Sequence, residues 1–416
     1  MTAVAGPAPA EPQGRWRQLA LLSAVVLLAE APWLSASAVA PALVNEWHLT
    51  GLGLPLLTIA VQLGFAAGAL LLAVSGAVDV VPPHRLLTAG AALTAIANLG
   101  FALASHSLAA AIPFRVATGF GIAGVYPVAL IVIAGWFRRE RGLAVGVMIG
   151  ALTVGSALSY LFRAIGAATG VDWHGVVLAA SASAVVASVI GLVSVHEGPF
   201  AVRSPRFSIR LAARAISEPA VRLANLGYLG HMWELYAMWT WVPAFLLAAF
   251  AAGGLADPGT ASLAAFAVVA VGGIGCVAAG ALADRFGRTT VTMAAMAISG
   301  TSALSIGLLF GASPLLVLTL GLVWGISVVA DSAQFSTAIS ELSPPGTAGS
   351  ALALQTAAGF VLTGVTISMV GLLAPSTGAG WSIAFALLAI GPFLGIIAMW
   401  RLRSLPEAVQ MAGGRR

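Results

Sequence analysis

The sequence predicts an all-α protein that crosses a membrane many times, folded as two pseudo-symmetric six-helix bundles. Composition, apolar run length and arginine placement predict it. Of the 416 residues, 60% are hydrophobic and 8% are charged. A soluble chain carries about 25% charge, and 8% cannot cover a water-soluble fold of this size. Disorder needs low hydrophobicity and high charge, so it is excluded as well. The single cysteine, Cys276, excludes a disulfide framework and a cysteine-based zinc site. The 48 glycines follow no collagen period and suit helices that pack closely in lipid.

A spanning helix needs about 20 apolar residues. Twelve such runs follow one another: 19–43, 53–74, 86–105, 108–136, 143–165, 175–195, 222–249, 262–283, 289–310, 314–340, 349–373 and 381–400. The first has the outline of a signal peptide, with Arg15 and Arg17 before it and Ala36-Ser37-Ala38 as a cleavage-like site. Glu30 and Trp33 interrupt it and the run is long, so it reads as a retained helix. The sixth is typical of the rest. Its residues 176–195 are apolar all round, whereas an outer-membrane barrel strand would alternate over about ten residues. A helix satisfies its own backbone in lipid and is the remaining solution.

The chain has no lysine; all 19 basic residues are arginine. With the N-terminus inside, 17 of the 19 fall in inner segments and none in outer loops. Arg115 lies inside the fourth run and Arg163 near the outer end of the fifth. This positive-inside pattern puts both termini in the cytoplasm and accounts for the net charge of +5 without nucleic acid. The expected order is a tail (1–18), a first bundle (19–195), a linker rich in arginine and proline (196–221), a second bundle (222–402) and a tail (403–416). Ala40-Pro41-Ala42 and Val242-Pro243-Ala244, Asp79 and Asp284, and Gly119 and Gly325 recur at offsets of 202, 205 and 206. A duplicated six-helix unit explains the near-constant offset. It points to a secondary transporter with its site at the midplane between halves.

The segment Gly280-Ala281-Leu282-Ala283-Asp284-Arg285-Phe286-Gly287-Arg288 resembles the G-x-x-x-D-R-x-G-R loop of the major facilitator superfamily. The matching first-half loop keeps Asp79 and Arg85 but lacks the first glycine and the Asp-Arg pair. Arg115-x-x-x-Gly119-x-Gly121 and the 136–142 segment are similar to the family's fourth-helix pattern and the loop after it. The resemblance covers nearly the whole chain and names no substrate. It implies a cytoplasmic gate at Asp79, Arg85, Gly280, Asp284, Arg285, Gly287 and Arg288; a plain solvated loop end is the other reading. It also implies that helices 1, 4, 7 and 10 line a central cavity.

Charge at mid-membrane is costly, so ionisable residues there are functional candidates by default. At 1.5 Å per residue, Glu30, Glu234 and Asp331 lie about 15–20 Å into runs 1, 7 and 10. His231 is one turn from Glu234, and Arg115 lies in the outer part of run 4. These five are the proton-coupling or substrate candidates. Pairing of Glu30 with Arg115 as a structural bridge is the alternative. Cavity-lining candidates on the same helices are Trp33, Ser37, Tyr126, Tyr228, Met238, Trp241 and Gln334. The aromatic run 230–241 reads as a ligand wall or gate, or as packing.

Acids at mid-membrane can load and release protons as a cavity opens to either side, which favours proton coupling. Glu234 is the favoured exchanging group, with His231 beside it to share the proton. No phosphate-binding loop occurs, no cofactor is implied, and an intramembrane enzyme is not expected. One arginine facing three acids disfavours a multiply charged anion. A cation, a neutral amphiphile or a monocarboxylate fits better. The expectation is a secondary active transporter of a small organic solute, acting as a monomer in the cytoplasmic membrane by alternating access. Its partners would be substrate, protons and lipid. The rival is a membrane sensor or scaffold that binds without translocating.

Overall fold

A computed structural model describes residues 12–200, 207–374 and 377–416. Most of the N-terminal tail and the linker residues Arg203 and Arg206 lie outside the described residues. The described residues form helices and connecting turns, with no strand among them.

Eleven helical passes are long and apolar enough to span a membrane. In order they are Gly53–Ser75, Pro83–Ala104, Leu108–Ala134, Arg141–Thr169, Trp173–Ser194, Pro219–Ala252, Pro258–Phe286, Arg288–Leu309, Pro314–Leu342, Ala348–Leu373 and Gly378–Ser404. We number them passes 2 to 12. The first pass departs from the uniform run the sequence suggests. It is a helix Arg15–Glu30, a turn, and two short helices, Ser35–Ala38 and Ala40–Trp47. Pro32 is the cause. Its ring has no N–H to donate and clashes with the preceding helical turn. Pass 10 is likewise interrupted at Asp331, between Pro314–Ala330 and Ser332–Leu342.

Short polar side chains start five of the six even passes at the end opposite the arginines. Ser107, Asp172, Asp257, Ser313 and Thr377 each accept a backbone N–H from the first turn of passes 4, 6, 8, 10 and 12. Such caps satisfy amides a new helix leaves free.

Two glycines explain the internal repeat. A Cβ on Gly119 would overlap the Val61 carbonyl, and one on Gly325 would overlap the Val268 carbonyl. Pass 4 therefore rides on pass 2 as pass 10 rides on pass 8, at matched depth. The halves meet where pass 2 packs on pass 11 and pass 5 on pass 8. Along pass 5, Gly142, Gly146 and Gly150 face Asp284, Cys276 and Gly273 of pass 8. Small residues four apart let two helices approach closely in lipid.

Candidate functional site

A cavity of about 670 Å³ enters the fold from the arginine-rich end. Its mouth is formed by Asp79, Val80, Val81, Pro82 and Glu197, and Glu197 is exposed. Its floor holds Phe65, Tyr126, Tyr236, Trp239 and Phe360. These come from passes 2, 4, 7 and 11, so both halves contribute.

Beyond the floor the passes are closed together. Trp33, released by the break in pass 1, stacks on Tyr236 at 5.5 Å between ring centroids. It also meets Phe65 at 5.2 Å and Phe360 at 5.6 Å, and those two rings are 4.5 Å apart. Aromatic contacts at these separations add to plain area burial. The Tyr160 hydroxyl donates to the Trp239 carbonyl at 2.7 Å, tying pass 5 to pass 7. The Trp241 indole donates to the Ile367 carbonyl at 2.9 Å, and the Ser37 and Thr58 hydroxyls are 3.1 Å apart.

Glu30 ends the first helix just before the break and is 1% exposed. Neither of its oxygens has a hydrogen-bond partner among the described residues. Its backbone carbonyl accepts the amide of Trp33 at 2.9 Å, and Trp33 is the ring stacked on Tyr236 of the floor. Glu30 therefore stands behind the cavity floor.

Arg115 does not pair with it. Its guanidinium donates to the carbonyls of Trp33 (2.7 Å), Pro32 (3.1 Å) and Leu57 (3.3 Å), to the Ser35 hydroxyl (3.0 Å) and to Asn98 Oδ1 (3.3 Å). Two of these carbonyls lie in the turn that Pro32 creates. Arg115 is the clasp of that turn. Asn98 is fixed in turn by donating to the Val177 carbonyl at 3.0 Å and the Ser181 hydroxyl at 2.9 Å.

The other three candidates gather inside the second half, away from the cavity wall. Glu234 accepts from the Ser299 hydroxyl and the Trp324 indole, each at 2.6 Å. His231 Nδ1 is 2.8 Å from Asp331 Oδ1, with both side chains buried. Passes 7, 9 and 10 thus share one polar cluster, seated at the break in pass 10.

Of the lining candidates, Tyr126 and Tyr228 face the cavity. Trp33, Ser37, Met238 and Trp241 are packed above or beside the floor, and Gln334 accepts from Arg288 Nη1 at 3.0 Å. Phe65, Tyr236, Trp239 and Phe360 carry the floor instead. Phe65 and Phe360 sit in ordinary apolar runs and give no signal in the sequence; Tyr236 and Trp239 lie in the aromatic run already noted.

At the arginine-rich end, Asp79 lines the mouth and Arg85 is exposed. Arg288 makes a two-pronged ion pair with Glu341 of pass 10, with both N···O distances 2.7 Å, while Asp284 Oδ1 is 3.9 Å away. Glu341 thus belongs to this end's charge network, a role the loop pattern alone does not disclose. Arg285 lies 5.2 Å from the Phe286 ring. Gly280 lets Gly142 approach, and a Cβ there would be 3.3 Å from the Gly142 carbonyl oxygen. Gly287 takes φ +93° against the backbone of Arg415 and Arg416, and Arg415 donates to the Asp284 carbonyl at 2.6 Å. On the first half, Arg15 pairs with Glu140 at 2.8 Å.

Residues 21–256 match the family model described as Major Facilitator Superfamily. Among solved structures, the chain is similar to a crystal structure of a D-xylose-proton symporter. Identity is 17% and the TM-score 0.73, covering 94% of this chain and 98% of the other. It is also similar to the partially occluded inward-open xylose transporter XylE from E. coli, at 14% identity and TM-score 0.74, with 94% and 98% covered. A third is a bacterial homolog of the human lysosomal transporter Spinster, inward-facing and unoccupied, at 15% identity and TM-score 0.66, with 95% and 100% covered. No curated protein matches the chain.

Proposed function

The chain belongs to the Major Facilitator Superfamily, and from that premise we propose that it carries a small organic solute across the cytoplasmic membrane by alternating access, driven by protons. The observation that carries this reading is the cavity of about 670 Å³, open at the arginine-rich end and floored by side chains of both halves, with an unpartnered buried carboxylate behind the floor. A pocket of this size suits a small organic ligand. A floor shared by two halves can part when they rock against each other.

The bodies that move are residues 19–195 and 222–402, joined by 196–221. Both termini face the cytoplasm, so the cavity faces it too, and one copy of the chain suffices. Asp79, Arg85 and the 280–288 segment, with Arg288 paired to Glu341, form the gate that closes the cavity mouth in the opposite state. The solute is a cation, a neutral amphiphile or a monocarboxylate.

Glu30 is the group best placed to exchange the proton. An unpaired carboxylate in a dry site is costly while charged. Among the described residues Glu30 has no hydrogen-bond partner to offset that cost, while Glu234 has two hydrogen-bond donors. Glu234 and, one turn from it, His231, whose ring lies 2.8 Å from Asp331, form a second cluster that belongs to the proton path.

The test is accessibility of a cysteine on the cavity wall. With Cys276 replaced by alanine and Thr356 by cysteine, an impermeant thiol reagent should react from the cytoplasmic side. During turnover it should react from the opposite side as well. Reaction from one side under every condition would identify a binder that does not alternate.

A further inference from the structure

The chemistry of the cavity wall narrows the solute further, and this step rests on the transport reading above. No arginine, histidine, asparagine or glutamine lines the cavity among the described residues, and the chain has no lysine. The charged side chains of the lining are Asp79 and Glu197, both carboxylates at the mouth. Seven aromatic side chains line it: Phe65, Tyr126, Tyr228, Tyr236, Trp239 and Phe360, with Phe207 as the seventh. Behind the floor stands Glu30, whose carbonyl accepts the amide of Trp33, the ring stacked on Tyr236; it is buried, with neither side-chain oxygen partnered among the described residues. The buried cation of the same half, Arg115, is committed to three carbonyls, Ser35 and Asn98.

Each feature selects on charge. An anion would enter past two carboxylates and meet no cation among the described residues. A sugar needs several directed hydrogen bonds, and the wall offers scattered hydroxyls and no amide side chain. A cation is drawn in by the mouth, meets the negative faces of aromatic rings, and feels Glu30 through a floor of low dielectric, where charge acts over a longer range than in water.

We propose that the substrate is a hydrophobic organic monocation, of the quaternary ammonium or phosphonium type, held on the aromatic floor with Glu30 as its counter-charge. Its arrival releases one proton from Glu30 to the solution, so the site's net charge is the same before and after. Cation and proton therefore compete. Affinity for the cation rises with pH while Glu30 is still protonated, by at most about tenfold per pH unit for one released proton.

The test uses the full-length purified protein and two probes of one shape and opposite charge, tetraphenylphosphonium and tetraphenylborate, with xylose as a polar solute. Binding is read by calorimetry between about pH 6 and 8, where a single proton exchange gives a measurable slope. The phosphonium should bind about tenfold or more tightly than the borate, and xylose should give no heat. Glu30→Gln should weaken phosphonium binding by about tenfold and flatten its pH dependence, while Glu30→Asp restores the dependence. Tyr236→Leu, which removes a floor ring and leaves Glu30, should weaken the phosphonium without flattening its slope. Borate or xylose binding as tightly as the phosphonium overturns the proposal. So does a folded Glu30→Gln protein with the parent affinity and pH slope. Should Glu30→Gln fail to fold, the probe pair, Glu30→Asp and Tyr236→Leu decide. A phosphonium that binds as described but crosses a proteoliposome membrane no faster than it crosses protein-free vesicles refutes the transport reading and leaves the cation site standing. A neutral or anionic solute that is transported while the phosphonium fails to bind does the reverse.

Discussion

Replacing Arg115 with methionine separates a structural clasp from a proton-relay arginine. The substitution keeps the length of the side chain and removes five hydrogen bonds. The Pro32 carbonyl keeps two other donors, the Ser35 amide and hydroxyl. The Trp33 carbonyl loses its shortest bond, and Ser35 and Asn98 lose a shared donor. A buried acceptor left without a donor costs about 1–3 kcal/mol. Polar contacts between membrane helices average nearer 0.6 kcal/mol, and methionine also avoids the cost of burying a charge. The net expectation is a loss of about 2–4 kcal/mol. At roughly 2–4 °C per kcal/mol, this lowers the apparent melting temperature by on the order of 5–10 °C. Thermal melting in detergent followed by tryptophan fluorescence measures it, because Trp33 moves with the turn. Arg115→Lys should recover part of the loss. The pH dependence of transport should keep its shape, since no carboxylate touches Arg115. A methionine variant with unchanged melting and a shifted pH profile would refute the clasp and return Arg115 to the proton path.

Gly119→Val and Gly325→Val should each reduce folded yield severely, because a side chain at either position overlaps the carbonyl of the neighbouring pass. Size-exclusion profiles of both variants test the repeat, and a tolerated valine at one site alone would break the equivalence. Glu341→Gln leaves the buried Arg288 guanidinium with one strong partner fewer and should destabilise the second half by about 2–3 kcal/mol. Reversal of both charges together should restore part of it. Hydrogen bonds from the Thr260 hydroxyl and amide and from the Gly259 amide hold the Asp257 carboxyl below the usual range. A carboxylate with a lowered folded-state pKa stabilises the fold above its unfolded pKa, and that stability fades as pH falls through the folded value. Asp257→Ala should therefore melt lower than the parent at neutral pH, with the gap closing below about pH 4. A gap independent of pH would assign the effect to the lost helix cap alone.

The features set by composition and repeat were legible without coordinates. Run length located eleven of the twelve passes to within about four residues at each end, though not the break in pass 10. The paired glycines 119 and 325 marked the duplication because the close approach they serve recurs in both halves. The burial of Glu30, Glu234 and Asp331 was legible from their place inside long apolar runs. Their partners were not, since which face of a pass meets which neighbour is a tertiary fact. That is why Glu30 stands alone while Glu234 finds Ser299 and Trp324 from passes 9 and 10. Pro32 was in plain view, yet its effect on a strongly apolar run depends on Arg115, over 80 residues on, holding the turn open. Phe65 and Phe360 could be told from other apolar residues only once passes 2 and 11 were brought together.

The account stands on a buried carboxylate behind the cavity floor that trades a proton for solute. Gradient-driven accumulation in proteoliposomes tests it most directly, comparing the parent with Glu30→Gln and Glu234→Gln. With an imposed pH difference, the parent should concentrate tetraphenylphosphonium faster and further than protein-free vesicles clamped at the same voltage. Glu30→Gln should lose this accumulation while still exchanging labelled for unlabelled solute at equal concentrations. Accumulation by Glu30→Gln at the parent rate, with normal dependence on the pH difference, would contradict the account.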